Sequence, residues 1–240
     1  ALTGEAGVFD TRLAFVRKGG ESADIYTVNF DGSDLRRITD YKSLTIAPRW
    51  SPDNRFLAFT SYRDGNPDIY LRDLANGSTK KLSFYSGLNL PGSWSRDGAR
   101  LLVTLSRDGN QEIYEMNVGS LLLQRLTRDF AIDVSPVRSP DEKSIAFVSN
   151  RSGSPQIYVM DADGGNVRRL TYQGNYNTSP AWSPKGKNIA YEGSVNGRFQ
   201  IFTIDAEGGD PQQLTFESGD HESPSWSPDA RSSGIAPGRV

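Results

Sequence analysis

The sequence predicts an all-β protein, a β-propeller of four-stranded blades made from five 44-residue repeats. Three observations predict this class: a set of motifs that recurs at a fixed step, four short strand-like segments in each recurring unit, and no segment with a long helical period of apolar residues. Units of about 40–45 residues that contain four strands are typical of propeller blades.

Three short markers carry the repeat through five copies without insertion or deletion. The first marker is Trp-Ser-Pro or a close variant, and its copies at Trp50 and Trp94 begin 44 residues apart. Its copies begin at Trp50, Trp94, Arg138, Trp182 and Trp226. The second marker pairs Ile with an aromatic residue and begins at Ile25, Ile69, Ile113, Ile157 and Ile201. The third ends in Thr or Ser and begins at Ile38, Leu82, Leu126, Leu170 and Leu214.

Each repeat is predicted to hold four strands, which we call a, b, c and d in chain order. Alternating apolar and polar residues between Gly-, Asp- and Asn-containing turns are typical of strands joined as hairpins. In the best-defined repeat, strands a to d are predicted at residues 179–183, 188–192, 200–205 and 212–215. A single sheet of this size cannot bury both of its faces, so stacking against neighbouring sheets is expected.

The order of strands along the chain suggests how the ring closes. The chain begins with a b strand at residues 12–16 and ends with an a strand at residues 223–227. Pairing residues 223–227 with residues 13–16 would complete the first blade and protect an exposed strand edge. The expected organisation is a propeller over residues 1–229 and an irregular tail over 230–240. The predicted repeat units are about 8–47, 48–91, 92–135, 136–179 and 180–229.

Composition argues against several classes of function. The net charge is −2 and no basic stripe occurs, which argues against a nucleic-acid partner. No apolar run approaches the ~18 residues of a membrane helix, so no membrane insertion is expected. No secretion signal precedes Ala1, so we expect any export signal to be already removed or never present. The chain has no Cys and one histidine, His221. We expect the chain to be a monomer.

Motifs of catalysis are also missing, and we expect no enzyme activity. The sequence has neither a Gly-x-Ser-x-Gly nucleophile motif nor a Gly-rich phosphate loop. Residues 161–166 begin like a calcium loop, but its twelfth position is Tyr172 rather than Glu, and the equivalent segments are hairpin turns. Two alternatives remain open: an accessory or gating propeller of a peptidase, and a carbohydrate-binding propeller.

One polar position recurs where each a strand begins, and it is the predicted partner-binding site. Mixed donors and acceptors placed around a ring suit recognition of a peptide or loop. The residues are Thr45, Asn89, Asp133, Asn177 and His221. The alternative is that these residues only end loops and meet water. A lone histidine argues against zinc, whereas Asp133, Asp220 and Glu222 are candidate ligands for a channel Ca²⁺, since Ca²⁺ takes oxygen ligands.

The repeat motif resembles that of the TolB-type propeller family over residues 1–229. The copy 151–184 matches closely, with Ile157-Tyr158-Val159-Met160-Asp161 followed by Arg169-Leu170-Thr171 and a later Ser-Pro-x-Trp-Ser-Pro. The opening through Phe9 and residues 12–16 is similar to the junction where family members leave a small N-terminal α/β domain. The motif is specific for the fold more than for the role.

The resemblance implies a periplasmic component of the Tol–Pal envelope system. Its propeller face is then expected to bind the peptidoglycan-associated lipoprotein, at a site that colicins also exploit. The family's contact with TolA belongs to the N-terminal domain, which has no counterpart in this sequence, so that contact is not carried over. The family propeller has six blades, whereas this sequence has five repeats.

Overall fold

Strands form every regular element of the part of the chain that the structure describes, which is residues 11–227 and Ser233–Gly234 of a computed structural model. The chain divides into two compact units, Ala1–Arg125 and Leu126–Val240. The strands make four four-stranded sheets, one three-stranded sheet and one two-stranded sheet, and all of their pairings are antiparallel. Within the described residues, no helix is long and apolar enough to cross a membrane.

The first unit contains three sheets, each in simple up-and-down order. The three-stranded sheet consists of β1 (Arg12–Gly19), β2 (Ser22–Asn29) and β3 (Arg36–Arg37). The next consists of β4 (Thr45–Trp50), β5 (Phe56–Ser61), β6 (Asp68–Asp73) and β7 (Thr79–Lys81). The third consists of β8 (Asn89–Trp94), β9 (Arg100–Leu105), β10 (Glu112–Asn117) and β11 (Leu123–Arg125).

The second unit repeats this arrangement. One sheet consists of β12 (Asp133–Arg138), β13 (Ser144–Ser149), β14 (Gln156–Asp161) and β15 (Arg168–Arg169). The next consists of β16 (Asn177–Trp182), β17 (Asn188–Val195), β18 (Arg198–Asp205) and β19 (Gln212–Gln213). The last pairs β20 (Ser225–Trp226) with β21 (Ser233–Gly234). The predicted all-β class and the a-b-c-d strand order of the propeller blade are confirmed.

The predicted closure of the ring is wrong. Residues 223–227 were expected to pair with residues 13–16, but β20 pairs with β21, with Trp226 opposite Ser233. In the described part of the chain, β1 pairs with β2 alone. A b-type partner that follows directly after an a strand needs only a short loop to close, which costs less chain entropy than reaching the far end of the sequence. The range predicted as an irregular tail thus includes β21, and its other residues lie outside the described part.

The Ile-aromatic and Leu-Thr markers are joined by one recurring hydrogen bond. The hydroxyl at the end of strand d accepts the N–H of the buried Ile in strand c, as in Ile25 to Thr39 Oγ1 at 2.9 Å. The same bond joins Ile69 to Ser83, Ile157 to Thr171 and Ile201 to Thr215. These Ile residues are fully buried, so without the hydroxyl their N–H groups would lose a partner away from water.

The Trp of strand a connects neighbouring sheets within a unit. The indole N–H of Trp94 donates to the Arg49 carbonyl of the preceding a strand at 3.3 Å. In the second unit, Trp226 donates in the same way to the Ala181 carbonyl at 2.9 Å. Trp182 instead donates to Gly186 in its own a–b turn. Trp94 also packs against the buried core of the first unit, and Trp182 against that of the second.

The Ser-Pro-Asp part of the first marker builds the a–b turn. Ser51 Oγ donates to Asp53 Oδ1 at 2.5 Å and accepts the Phe56 N–H at 2.8 Å. The same Ser-to-Asp bond occurs at Asp97 and Asp141. In all three turns this bond, supported by a backbone N–H, holds the pKa of the Asp below its ordinary value. The motif is therefore a structural turn.

These carboxylates predict how stability depends on pH. Because their folded pKa is lowered, they stabilise the folded chain above the unfolded pKa of about 3.9, and the contribution is lost as pH falls through the folded pKa. We expect the free energy of unfolding by urea to change little between pH 7 and pH 5 and to fall below about pH 4. The triple variant Ser51→Ala, Ser95→Ala and Ser139→Ala should fall less steeply. If the free energy of unfolding falls equally steeply below about pH 4 in both proteins, this assignment to the three carboxylates is wrong.

Candidate functional site

The connections between strands define two ends for every sheet. Each d–a loop leads into strand a, and strand b returns to the same end before the b–c turn, because neighbouring strands are antiparallel. We call this end the loop end. The a–b and c–d turns lie at the opposite end. The d–a loops are residues 38–44, 82–88, 126–132, 170–176 and 214–224.

Four of the five predicted partner-binding residues are buried at the loop ends. Thr45, Asn89, Asp133 and Asn177 are the first residues of β4, β8, β12 and β16, and at most 2% of their surface is exposed. The repeat therefore places them at equivalent positions, as predicted. Their side chains, however, bond to their own sheets and loops instead of meeting solvent, and direct contact with a partner stays a prediction.

The two asparagines hold the d–a loops. Asn89 Nδ2 donates to the carbonyls of Tyr85 and Gly87 at 2.7 and 2.9 Å. Asn177 Nδ2 donates to the Gln173 carbonyl and to Gln156 Oε1, both at 2.8 Å. Buried amide donors of this kind lock the loop backbone in one conformation, because leaving a donor without a partner would cost about 1–3 kcal/mol.

Asp133 forms an ion pair with Arg151 at the loop end of its sheet. Arg151 Nη2 lies 2.8 Å from Asp133 Oδ2 and 3.1 Å from Oδ1, and Arg151 Nε donates to Ser149 Oγ at 2.9 Å. Asp133 is fully buried, whereas 22% of the Arg151 side chain is exposed. The guanidinium also lies near the rings of Phe147 and Tyr158. Asp133 thus fixes the b–c turn of its sheet.

Thr45 and His221 make weaker contacts. Thr45 Oγ1 lies 3.1 Å from Ser61 Oγ. His221 donates its backbone N–H to the Phe199 carbonyl at 2.9 Å, and its Nε2 lies 3.1 Å from Glu217 Oε2. The His221 side chain is 17% exposed, so it is the most accessible member of the predicted set.

Two of the three candidate calcium ligands contact other groups of the protein. Asp133 binds Arg151, and Asp220 accepts the Phe199 N–H at 3.0 Å and lies 3.5 Å from Arg198 Nη1. Glu222 is half-buried. In the described part of the chain, no group of three or more His, Cys, Asp or Glu side chains could hold a metal ion. Calcium binding stays a prediction.

Sequence reasoning missed most of the exposed aromatic residues of the d–a loops. In the second unit Phe130 is fully exposed, and Tyr172 and Phe216 are 72% and 76% exposed. Phe84 holds the equivalent place in the first unit at 67%. Three of the four directly follow the Thr or Ser of the third marker, which is the signal that could have found them. We call Phe130, Tyr172 and Phe216 the aromatic loop set.

A buried carboxylate was also missed. Glu192, on β17, is 7% exposed and accepts the Thr178 hydroxyl at 2.9 Å and the backbone N–H of Ser223. Ser223 precedes β20, so Glu192 holds the start of the last a strand. The equivalent Thr60 donates to the Asn89 carbonyl of the next a strand, which gives this b-strand position one recurring role.

The chain is similar in sequence and in fold to known proteins. The family model of the TolB beta propeller domain matches residues 1–233. The chain belongs to this family. The crystal structure of TolB from Acinetobacter baumannii is similar with a TM-score of 0.86 and 33% identity, over 96% of this chain and 59% of that one. This chain therefore spans less than two thirds of that relative.

Curated relatives match a shorter segment. The Tol-Pal system protein TolB of Syntrophus aciditrophicus (strain SB) is 62% identical over 70 residues, which is 28% of this chain and 16% of that protein. The TolB of Desulfosudis oleivorans (strain DSM 6200 / JCM 39069 / Hxd3) is 47% identical over 66 residues, 28% of this chain and 15% of that protein. These matches show that the chain is similar to TolB proteins of the Tol-Pal system in sequence as well as in fold.

Proposed function

We propose that this TolB-family chain is a non-catalytic, protein-binding scaffold of the cell envelope. Its location is then the periplasm, and its partner is a peptidoglycan-associated lipoprotein. The observation that carries the proposal is the aromatic loop set, which exposes three large apolar side chains at the loop ends of the second unit. The relatives are named Tol-Pal system proteins, and these names support the proposed location and partner.

The chemistry of the loop ends suits a protein interface. Aromatic residues are enriched at the centres of interfaces, where they contribute most of the binding energy. An exposed Phe such as Phe130 gains most from being covered, since burying an aromatic side chain removes about 150–250 Å² from water. Asn177 and Asp133 hold the adjoining loops internally, so a partner would meet an ordered surface and little entropy would be lost on binding.

The buried polar residues favour a scaffold over a catalyst. Asn89, Asp133 and Asn177 are committed to internal bonds that fix loops and turns. A catalytic group would need to face a cleft within reach of a substrate. No specific contact favours the alternative of a peptidase's accessory propeller.

One observation favours carbohydrate binding as a second candidate. Exposed aromatic rings can stack on sugars as well as on protein side chains, and Tyr172 also lies 4.8 Å from the Arg169 guanidinium. Sugar sites add polar side chains around the stacking ring, because hydroxyl groups require hydrogen-bond partners. The two candidates therefore differ in the ligand that saturates the same loops.

Isothermal calorimetry separates the two candidates. The chain is titrated with the purified soluble domain of a peptidoglycan-associated lipoprotein and, separately, with soluble N-acetylglucosamine oligomers. We expect saturable one-to-one binding of the lipoprotein domain and no heat from the oligomers. Heat from the oligomers alone would replace the protein-binding proposal with the carbohydrate one, and no heat from either would refute both.

A further inference from the structure

One cationic position recurs on strand d, and in three sheets it is paired with a carboxylate on strand c. The carboxylate stands two residues before the Tyr that lies directly opposite the cation. The pairs are Arg37 with Asp24 at 2.6 Å, Lys81 with Asp68 at 2.8 Å and Arg125 with Glu112 at 2.9 Å. All three carboxylates are buried, so each of these cations is held against its own sheet.

The sheet of β12 to β15 departs from this pattern, because Gln156 stands where the other three sheets have the carboxylate. Gln156 is fully buried, and its amide is already bonded. Its Oε1 accepts the Thr171 hydroxyl at 2.7 Å and Asn177 Nδ2 at 2.8 Å, and its Nε2 donates to the Gly174 carbonyl at 3.3 Å. The cation of this sheet, Arg169, therefore meets a neutral side chain where its equivalents meet a carboxylate.

The Arg169 guanidinium is held instead by a backbone carbonyl and an exposed ring. Its Nε donates to the Thr171 carbonyl at 2.6 Å. Its Cζ lies 4.8 Å from the ring centroid of Tyr172, a residue that is 72% exposed. Among the residues that the structure describes, Nη1 and Nη2 of Arg169 have no hydrogen-bond or ion-pair partner. Two donor groups of an ordered guanidinium thus remain available to a ligand.

The acidic residues of the following c–d turn do not supply the missing charge. Glu207 Oε2 lies 3.9 Å from Arg168 Nη2, and Asp210 Oδ1 accepts Gln173 Nε2 at 3.2 Å. Arg168 also donates to the Ala206 carbonyl. The two neighbouring arginines of β15 therefore differ, since Arg168 contacts this turn and Arg169 contacts the exposed ring.

We propose that Arg169, held on the Tyr172 ring, binds an aspartate or glutamate side chain of the protein partner. This contact deepens the function proposed above and rests on it, because Tyr172 belongs to the aromatic loop set. The planar guanidinium presents N–H donors that match the two oxygens of a carboxylate, and the aromatic ring holds it in place. A partner that covers Tyr172 would also exclude water from the ion pair, which strengthens the attraction between the charges.

A protein carboxylate fits this position better than an anionic membrane surface does. The three equivalent cations all bind carboxylates within their own sheets. Anionic lipid surfaces are bound by clusters of about four to eight basic residues. The d–a loops 170–176 and 214–224 contain no Lys or Arg, so Arg169 is not part of such a cluster there.

Calorimetry with the soluble domain of a peptidoglycan-associated lipoprotein tests the contact through Arg169→Gln. The variant should keep its fold, because Gln213 at the equivalent position of the next sheet donates to the Thr215 carbonyl at 2.6 Å, as Arg169 does to Thr171. We expect Arg169→Gln to bind about tenfold more weakly, and its affinity should depend less on salt concentration. Arg168→Gln removes the same charge from the adjoining residue and should bind like the unaltered chain.

Gln156→Glu tests the same contact from inside the sheet. The restored carboxylate should draw Arg169 away from Tyr172, as Glu112 holds Arg125, and so weaken binding of the lipoprotein domain. Circular dichroism establishes that the variant is folded at the temperature of the titration. Undiminished binding by either Arg169→Gln or folded Gln156→Glu would overturn the proposed contact. An equal loss in Arg168→Gln would overturn it too, because the effect would then be one of net charge.

Two further results separate this contact from the proposed function and from a lipid ligand. If the unaltered chain does not bind the lipoprotein domain, the proposed function and this contact both fail. If it binds and Arg169→Gln binds equally well, only the contact fails. Sedimentation with phosphatidylglycerol vesicles is expected to show no binding. Vesicle binding that Arg169→Gln abolishes would replace the partner's carboxylate with a lipid phosphate and overturn the proposal.

Discussion

Replacing Asp133 by alanine is expected to lower the free energy of unfolding by about 3 kcal/mol. The substitution removes a fully buried carboxylate and its 2.8 Å contact with the Arg151 guanidinium, whose contact with Asp129 Oδ2 is longer, at 3.7 Å. Removing one member of a buried pair costs more than the pair itself contributes, although the 22% exposure of Arg151 lets water relieve part of the penalty. Urea unfolding at pH 7 measures the change.

Thr45→Ala is the matched control, because Thr45 stands at the equivalent position and is equally buried. Its hydroxyl lies within hydrogen-bond distance of the neutral Ser61 hydroxyl, so a loss of about 1 kcal/mol is expected. If Asp133→Ala leaves stability unchanged but weakens binding of the lipoprotein domain, Asp133 contacts the partner directly, as its place in the repeat first suggested. Equal losses in the two variants would show that the ion pair adds nothing to a neutral contact.

Local sequence patterns predicted the strands because their periodicity is a local property. In the repeat used as the template, the predicted strands 188–192 and 200–205 are observed as β17 (Asn188–Val195) and β18 (Arg198–Asp205). Closure of the ring was not predictable in the same way. Both β1 and β21 are compatible with the last a strand, and the choice between them depends on loop entropy and on the course of the chain after Trp226.

For the candidate site, too, the sequence indicated the positions of residues in the repeat but not the surroundings of their side chains. The repeat placed Asp133 and Asn177 at equivalent positions where d–a loops end, but spacing alone does not indicate how deeply a side chain is buried. Asp133 is buried because Arg151 stands on the adjoining b–c turn, and this pairing connects residues 18 positions apart. Phe216 lies three residues after the end of β19 at Gln213 and is 76% exposed, which its position in the repeat does not indicate.

The triple variant Phe130→Ala, Tyr172→Ala and Phe216→Ala is expected to weaken binding of the lipoprotein domain about a hundredfold or more. Each substitution removes a ring that could be covered only in a complex, and losses of about 1.4 kcal/mol at each of two central residues already reach that factor. Because the rings are exposed in the free chain, the thermal midpoint should stay close to that of the unaltered protein.

The calorimetric comparison of this variant with a control from the opposite end of the sheets tests the central claim most directly. The control carries Leu35→Ala and Leu122→Ala, two exposed apolar residues of the c–d turns. We expect the control to bind the lipoprotein domain as tightly as the unaltered chain does. The affinity of the aromatic variant for that domain should be lower by about two orders of magnitude. Unchanged binding by the aromatic variant, or a larger loss in the control, would contradict the assignment of the partner surface to the d–a loops.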